Sequence, residues 1–185
     1  MAFVSRWSRF LELACRSGAV VEAGLTATEL ARAEGRHRFR FPPDLAQLLS
    51  EGLPRGPAFP DWRRLPDNLD AWLRRPLEGI LFDVELNDYW EPGWGRRPSE
   101  PEAGRAVAEV GVNAAPSLIP VYLHRFIPAD PPEAGNPIFS VMQTDVVCYG
   151  RDLSAWAEAE WETGWEERWA QGAKRIRFWS RLAGS

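Results

Sequence analysis

The chain of 185 residues is 45% apolar, carries a formal net charge of −4 and contains ten Trp and nine Phe. That length buries one sizeable core and barely reaches a second domain, and the mild acidic excess argues against direct nucleic-acid binding, which needs clustered cations to neutralise phosphate. Cys15 and Cys148 are too few and too far apart for a disulfide scaffold or a zinc site, so both read as reduced, packed thiols.

Arg6, Arg9 and Glu12 interrupt the N-terminal apolar residues before a signal-peptide core can form. No apolar run approaches the roughly 18 residues of a membrane span. A cytoplasmic protein without membrane contact is expected. From Ser5 to Arg16, Trp7, Phe10, Leu11, Ala14 and Cys15 fall on one helical face, with Gly18 as the stop. A second helix starts near Thr26 or Thr28, either of which can cap it, and runs towards Gly35. Pro43 suits the first turn of a third, short helix carrying Leu45, Leu48 and Leu49 up to Gly52.

Pro54, Pro57, Pro60 and Pro66 between Phe59, Trp62 and Leu65 predict a packed loop. A brief helix is expected around Leu69, Trp72 and Leu73, and Gly79 then opens Ile80–Val84, an apolar run whose length favours a strand. Pro101 to Asn113 places Ala103, Ala106, Val107 and Val110 on one helical face. Leu118–Leu123, Ile138–Met142 and Asp145–Tyr149 read as three strands, and their short connections favour antiparallel pairing. Trp156, Trp161, Trp165 and Trp169 follow on a helix weakened at Gly164, as a stripe that suits either a core or a docking surface. A basic-aromatic segment from Lys174 to Leu182 closes the chain. These elements predict an α+β fold: one curved, mainly antiparallel sheet with flanking helices.

Catalytic chemistry finds little support. The two histidines, His37 and His124, come without a nucleophile elbow or an S-x-x-K pattern. His124 reads as a structural residue near a strand end, and His37, between Arg36 and Arg38, as solvated loop chemistry. Asp83, Glu85, Asp88 and Glu91 fail the calcium-loop pattern, since Asp88 stands where Gly is required and Trp94 where Glu is. No metal site or cofactor is expected. The glycines of Pro92-Gly-Trp-Gly95 lack phosphate-loop spacing and suit a tight turn around two indoles. Asp83, Glu85, Asp88, Trp90, Glu91 and Trp94 are therefore the candidate contacts of a partner-binding surface rather than catalytic groups.

Trp90-Glu-Pro-Gly-Trp-Gly-Arg-Arg-Pro98, Pro116-Ser-Leu-Ile-Pro120, His124-Arg125, Asn136-Pro137 and Asp145 to Gly150 together resemble the SUKH superfamily in its Smi/Knr branch. Phe41-Pro-Pro-Asp-Leu45 is similar to that family's early segment. The resemblance covers residues 25–160, leaving 1–24 as an N-terminal helical extension and 161–185 as a Trp-rich C-terminal helical extension packed on the same domain. It implies an α+β fold used for protein binding rather than catalysis. Bacterial members are immunity proteins against polymorphic toxins, often nucleases, and fungal members regulate cell-wall assembly and signalling. The expectation is a non-enzymatic immunity protein, monomeric or weakly dimeric, that occludes a cationic toxin domain. A regulatory scaffold is the alternative, with a small hydrolase or carbohydrate-binding protein ranked below both.

Overall fold

The computed structural model describes residues 6–184. Helix α1 (Ser8–Arg16) leads to strand β1 (Val20–Ala23), helices α2 (Ala27–His37) and α3 (Pro43–Glu51), and strand β2 (Gly52–Arg55). The long helix α4 (Asp67–Leu86) is followed by a single turn at Pro92–Trp94 and by α5 (Pro101–Asn113). Strands β3 (Leu118–Tyr122), β4 (Arg125–Pro128), β5 (Ile138–Met142) and β6 (Asp145–Gly150) precede α6 (Leu153–Glu158) and the short α7 (Trp179–Leu182). The expected start of the first helix at Ser5 lies outside the described residues.

The α+β class is as expected, but the strands form two sheets instead of one. β3–β4–β5–β6 is an antiparallel meander, and β1 pairs with β2 in a separate ribbon that sets Val20 opposite Arg55 and Ala23 opposite Gly52. The ribbon is hard to read locally: each strand has four residues, and Pro54 deprives β2 of one donor, which an edge position tolerates. β4 hides in the sequence because only Leu123 and His124 separate it from β3, with Tyr122 opposite Arg125. Leu123 takes a φ of +44° to close this turn, a left-handed conformation unusual for a bulky residue. Its N–H donates to the Ala58 carbonyl at 2.8 Å and its carbonyl accepts from the Trp72 indole at 2.7 Å, so both sides of the turn are clamped.

The meander is the middle layer of the molecule, which explains why its strands are apolar on both faces. Ile119, Val121, Ile127 and Ile138 point into a core with Phe10, Leu45, Trp62 and Trp156. Leu118, Phe126, Phe139, Val141, Val146 and Cys148 face a second core built by α4, α5 and the Ile176–Trp179 segment. Strand alternation thus serves two hydrophobic clusters at once. Trp7 and Phe10 on one side and Phe178 and Trp179 on the other belong to these clusters, so both chain ends contribute to the interior.

The expected strand at Ile80–Val84 is instead part of α4. Leu69, Trp72, Pro76, Ile80 and Val84 are buried at three- and four-residue steps through the whole helix, across Pro76 and Gly79. A short apolar run has no decisive period of its own; the longer window does. Asp67 and Asp70 in the first turn favour the helix electrostatically. Gly79 is required for packing, because a Cβ there would come within 2.9 Å of the Gln143 Cα in the β5–β6 turn.

After α6 the chain makes one wide π-type turn at Ala159–Thr163, breaks at Gly164, where φ is +81°, and forms a tight turn at Glu167–Ala170. Trp156 is wholly buried, and Trp161 packs on the same core. Trp165 is more exposed, but its indole N–H donates to the Cys148 carbonyl at 3.2 Å, and the Arg151 N–H reaches the Trp169 carbonyl at 2.7 Å. The Trp-rich tail therefore lies along the outer edge of β6 and satisfies backbone groups that an open edge would present to other chains. Cys148 is buried as expected, whereas Cys15 is exposed, on the outer side of α1.

Candidate functional site

The six residues expected to form a partner-binding surface lie on the end of α4 and the loop that follows, and they divide by environment. Asp83 and Glu91 are each 4% exposed. Asp83 accepts from the Thr144 N–H at 2.8 Å, the Thr144 hydroxyl at 2.5 Å and the Asn87 amide at 2.6 Å, fastening α4 to the β5–β6 turn. Burial pushes its pKa up, but these donors outweigh burial and hold the carboxyl below the usual carboxylate value. Glu91 accepts from the Tyr89 hydroxyl at 2.8 Å and pairs with Arg181 at 2.9 Å, tying the loop to α7. Burial and the Glu91 carboxylate push the Tyr89 phenol well above its ordinary pKa.

Trp90 and Trp94 meet edge to face with ring centroids 5.3 Å apart. The Trp90 indole donates to the Gly95 carbonyl at 2.7 Å, while Trp94 stacks against Phe178 at 6.2 Å. Gly111 on α5 makes room for this: a Cβ there would overlap the Trp94 indole. Both rings are part-buried packing elements.

Glu85 and Asp88 are exposed, and each already faces an arginine: Glu85 pairs with Arg105, and Asp88 with Arg97, whose guanidinium also lies 5.6 Å above the Trp90 ring. Arg105 additionally reaches Glu78 at 3.5 Å, and Arg74 meets Glu78 at 2.5 Å, so charges alternate along this side of α4. The four carboxylates do not converge, and no group of three His, Cys, Asp or Glu among the described residues is placed to hold a metal ion.

Beside these carboxylates lies an apolar feature absent from the sequence expectation. Phe82 is 43% exposed, Leu86 68% and Met142 56%. Phe82 and Leu86 stand at i and i+4 on α4, and the adjacent Gly79 and Asp83 touch Gln143 and Thr144 in the turn that Met142 leads into. Reading residues 80–84 as a strand concealed this stripe; helical spacing over Gly79, Phe82, Asp83 and Leu86 is the signal that reveals it. Both elements that carry it are anchored, so the patch is held on a rigid support.

The histidines also separate. His124 occupies the β3–β4 turn, where burial and the neighbouring Arg125 lower its pKa and Glu160 partly opposes them. His37 is not solvated loop chemistry: it is the last residue of α2, its side chain is 5% exposed, and its Nδ1 lies 3.2 Å from an Asp70 carboxylate oxygen. Comparison of the chain with known family models, curated proteins and solved structures found no match.

Proposed function

We propose that the protein is a non-enzymatic binding module that docks another protein through Phe82, Leu86 and Met142, with Glu85 and Asp88 at the border of the contact. The single observation that carries this reading is the exposed apolar patch on anchored elements. Large apolar side chains left 43–68% exposed and bordered by charge are the ordinary anatomy of an interaction site. A few apolar anchors of this kind supply most of the retained affinity of an interface, and surrounding charge sets encounter rate and specificity.

The net charge of −4 favours a cationic partner. Glu85 and Asp88 suit it locally, because each is exposed and exchanges an intramolecular arginine for an intermolecular one at little cost. Together with the resemblance to the SUKH superfamily, these features support a role as an immunity protein that occludes a cationic toxin domain.

The test is protection of cells that express a toxin encoded beside this gene. Wild-type protein should rescue growth and co-purify with the toxin. Phe82→Asp combined with Leu86→Asp should abolish both in a variant that still unfolds cooperatively, with Leu86→Asp alone, at a side chain 68% exposed, keeping the thermal unfolding midpoint within a few degrees of wild type while weakening both. Absence of both rescue and binding by the wild-type protein would remove the immunity reading.

A further inference from the structure

Roughly half a turn around α4 from the apolar patch, a cleft of about 420 Å³ opens where the C-terminal ends of α2 and α5 meet the first half of α4 and the indole of Trp179. Its volume lies within the range of about 300–1,000 Å³ typical of small-ligand sites. Leu73, Leu77, Val112 and Trp179 give it apolar walls.

The polar lining mixes donors and acceptors: Arg74, Asn113 and Ser117 stand beside His37, Asp70 and Glu109. His37 lines the cleft, and its Nε2 is buried with no hydrogen-bond partner. With Nδ1 turned to Asp70, the ring proton belongs on Nδ1 and Nε2 presents a lone pair. Burial keeps the ring neutral, with Asp70 opposing that effect and Arg36 adding to it. A buried acceptor without a donor is costly and rare in native proteins, which points to a donor that arrives from outside.

Glu109 lines the same cleft from α5. Arg74, which lines the cleft, and Arg105 both feel its field but are engaged by Glu78 and Glu85, leaving Glu109 without an ion pair among the described residues. Arg36, beside His37 on α2, is held by Asp70 at 3.1 Å and by the Leu65 carbonyl at 2.7 Å. The two helix C-termini add partial negative charge on the same side.

We infer that this cleft is a receptor for an alkylguanidinium group, whose nitrogens donate to Glu109 and to His37 Nε2 while its methylenes lie along Leu73, Leu77 and Trp179. A guanidinium fits better than an ammonium. Its donors spread over a plane and can serve a carboxylate and an imidazole together, and its weaker hydration suits apolar walls. This site is independent of the docking patch. The group can arrive as a free small molecule or as the arginine of a peptide.

Titration of the full chain with Nα-acetylarginine N-methylamide, its neutral citrulline counterpart and free arginine, followed by the NMR signal of the Trp179 indole N–H, tests the inference. Both arginine compounds should shift that signal saturably, the citrulline compound at least about ten-fold more weakly, and Glu109→Gln should weaken the arginine compounds by about ten-fold, as expected for loss of one charge-assisted hydrogen bond. Glu109 is partly exposed, so this variant should keep the wild-type spectrum elsewhere. Tighter binding of free arginine assigns the cleft to a small molecule, and equal or tighter binding of the blocked amide assigns it to a peptide side chain. No saturable shift, equal binding of citrulline, or an unchanged affinity in folded Glu109→Gln would overturn the inference.

Discussion

Replacing Asp83 with Ala removes the acceptor of three hydrogen bonds at once, from the Thr144 N–H, the Thr144 hydroxyl and the Asn87 amide. The cost should be about 1–3 kcal/mol, the range for stranding part-buried donors, and urea unfolding would measure it. Gly111 sets two effects against each other. Ala at a helix interior gains roughly 1 kcal/mol over Gly, but the new Cβ would overlap the Trp94 indole, and such overpacking costs about 1–3 kcal/mol. Packing should win: Gly111→Ala should unfold at lower denaturant and change the near-ultraviolet aromatic signal, whereas a gain in stability would show that Trp94 moves freely. Neither role was legible in the chain itself. Asp83 read as one of a run of acids, and only the turn that folds back from 61 residues away gives it its partners.

Helix spans and caps were legible: Thr26 does cap α2, with Glu29 completing the reciprocal capping pair, and α5 spans Pro101–Asn113 as expected, although it buries Gly104, Ala108 and Val112 instead of the expected face of Ala103, Ala106, Val107 and Val110. What failed was local length. Four apolar residues among the five after a glycine resemble a strand until Leu69, Trp72 and Pro76 are counted in the same period, and two four-residue strands carry too little pattern to be seen alone. Non-local chemistry was equally hidden, as at Arg125. Its guanidinium on β4 pairs with Glu160 at 2.8 Å, donates to the Ser140 hydroxyl at 3.0 Å and lies 3.8 Å over the Tyr149 ring, joining three strands to the turn after α6. Both members of the ion pair are largely buried. Arg125→Ala should therefore cost about 3–5 kcal/mol by leaving the Glu160 charge uncompensated, and Arg125→Ala with Glu160→Ala should recover part of that loss in a double-mutant cycle.

For the molecule as a whole, acid should act in two stages. His37 and His124 both have pKa values below 6.5 in the folded state, mainly through burial, with Asp70 and Arg36 facing the first and Arg125 and Glu160 the second. The unfolded chain binds protons that the native state refuses, so this contribution is complete above about pH 6.5 and is lost as pH falls through the lowered folded values. Asp61, Glu78 and Asp83 are held below their ordinary values, and Glu29 is lowered to about 2 by the Thr26 backbone N–H and Arg63. Their contribution is present above the usual carboxylate range and lost as pH falls through the lowered values. The urea midpoint should be flat close to neutrality, decline first below about 6.5 and fall again below about 4, and it should also fall at alkaline pH, where the unfolded chain ionises the Cys148 thiol and Tyr89 phenol that burial keeps protonated in the fold. A single transition confined to the acid end would contradict the histidine assignment.

The fold explains why the carboxylate run was an incomplete guide to the surface: Asp83 and Glu91 are consumed by the architecture, and the accessible feature beside Glu85 and Asp88 is the apolar stripe that helix α4 creates. Calorimetric titration of the purified protein with the toxin encoded beside it tests that surface most directly. Wild type should bind saturably, and Phe82→Asp with Leu86→Asp should weaken binding by about 100-fold or more, as for the loss of central apolar anchors, in a variant that still unfolds cooperatively. Equal affinity of the wild type and the folded double variant would contradict docking through this face.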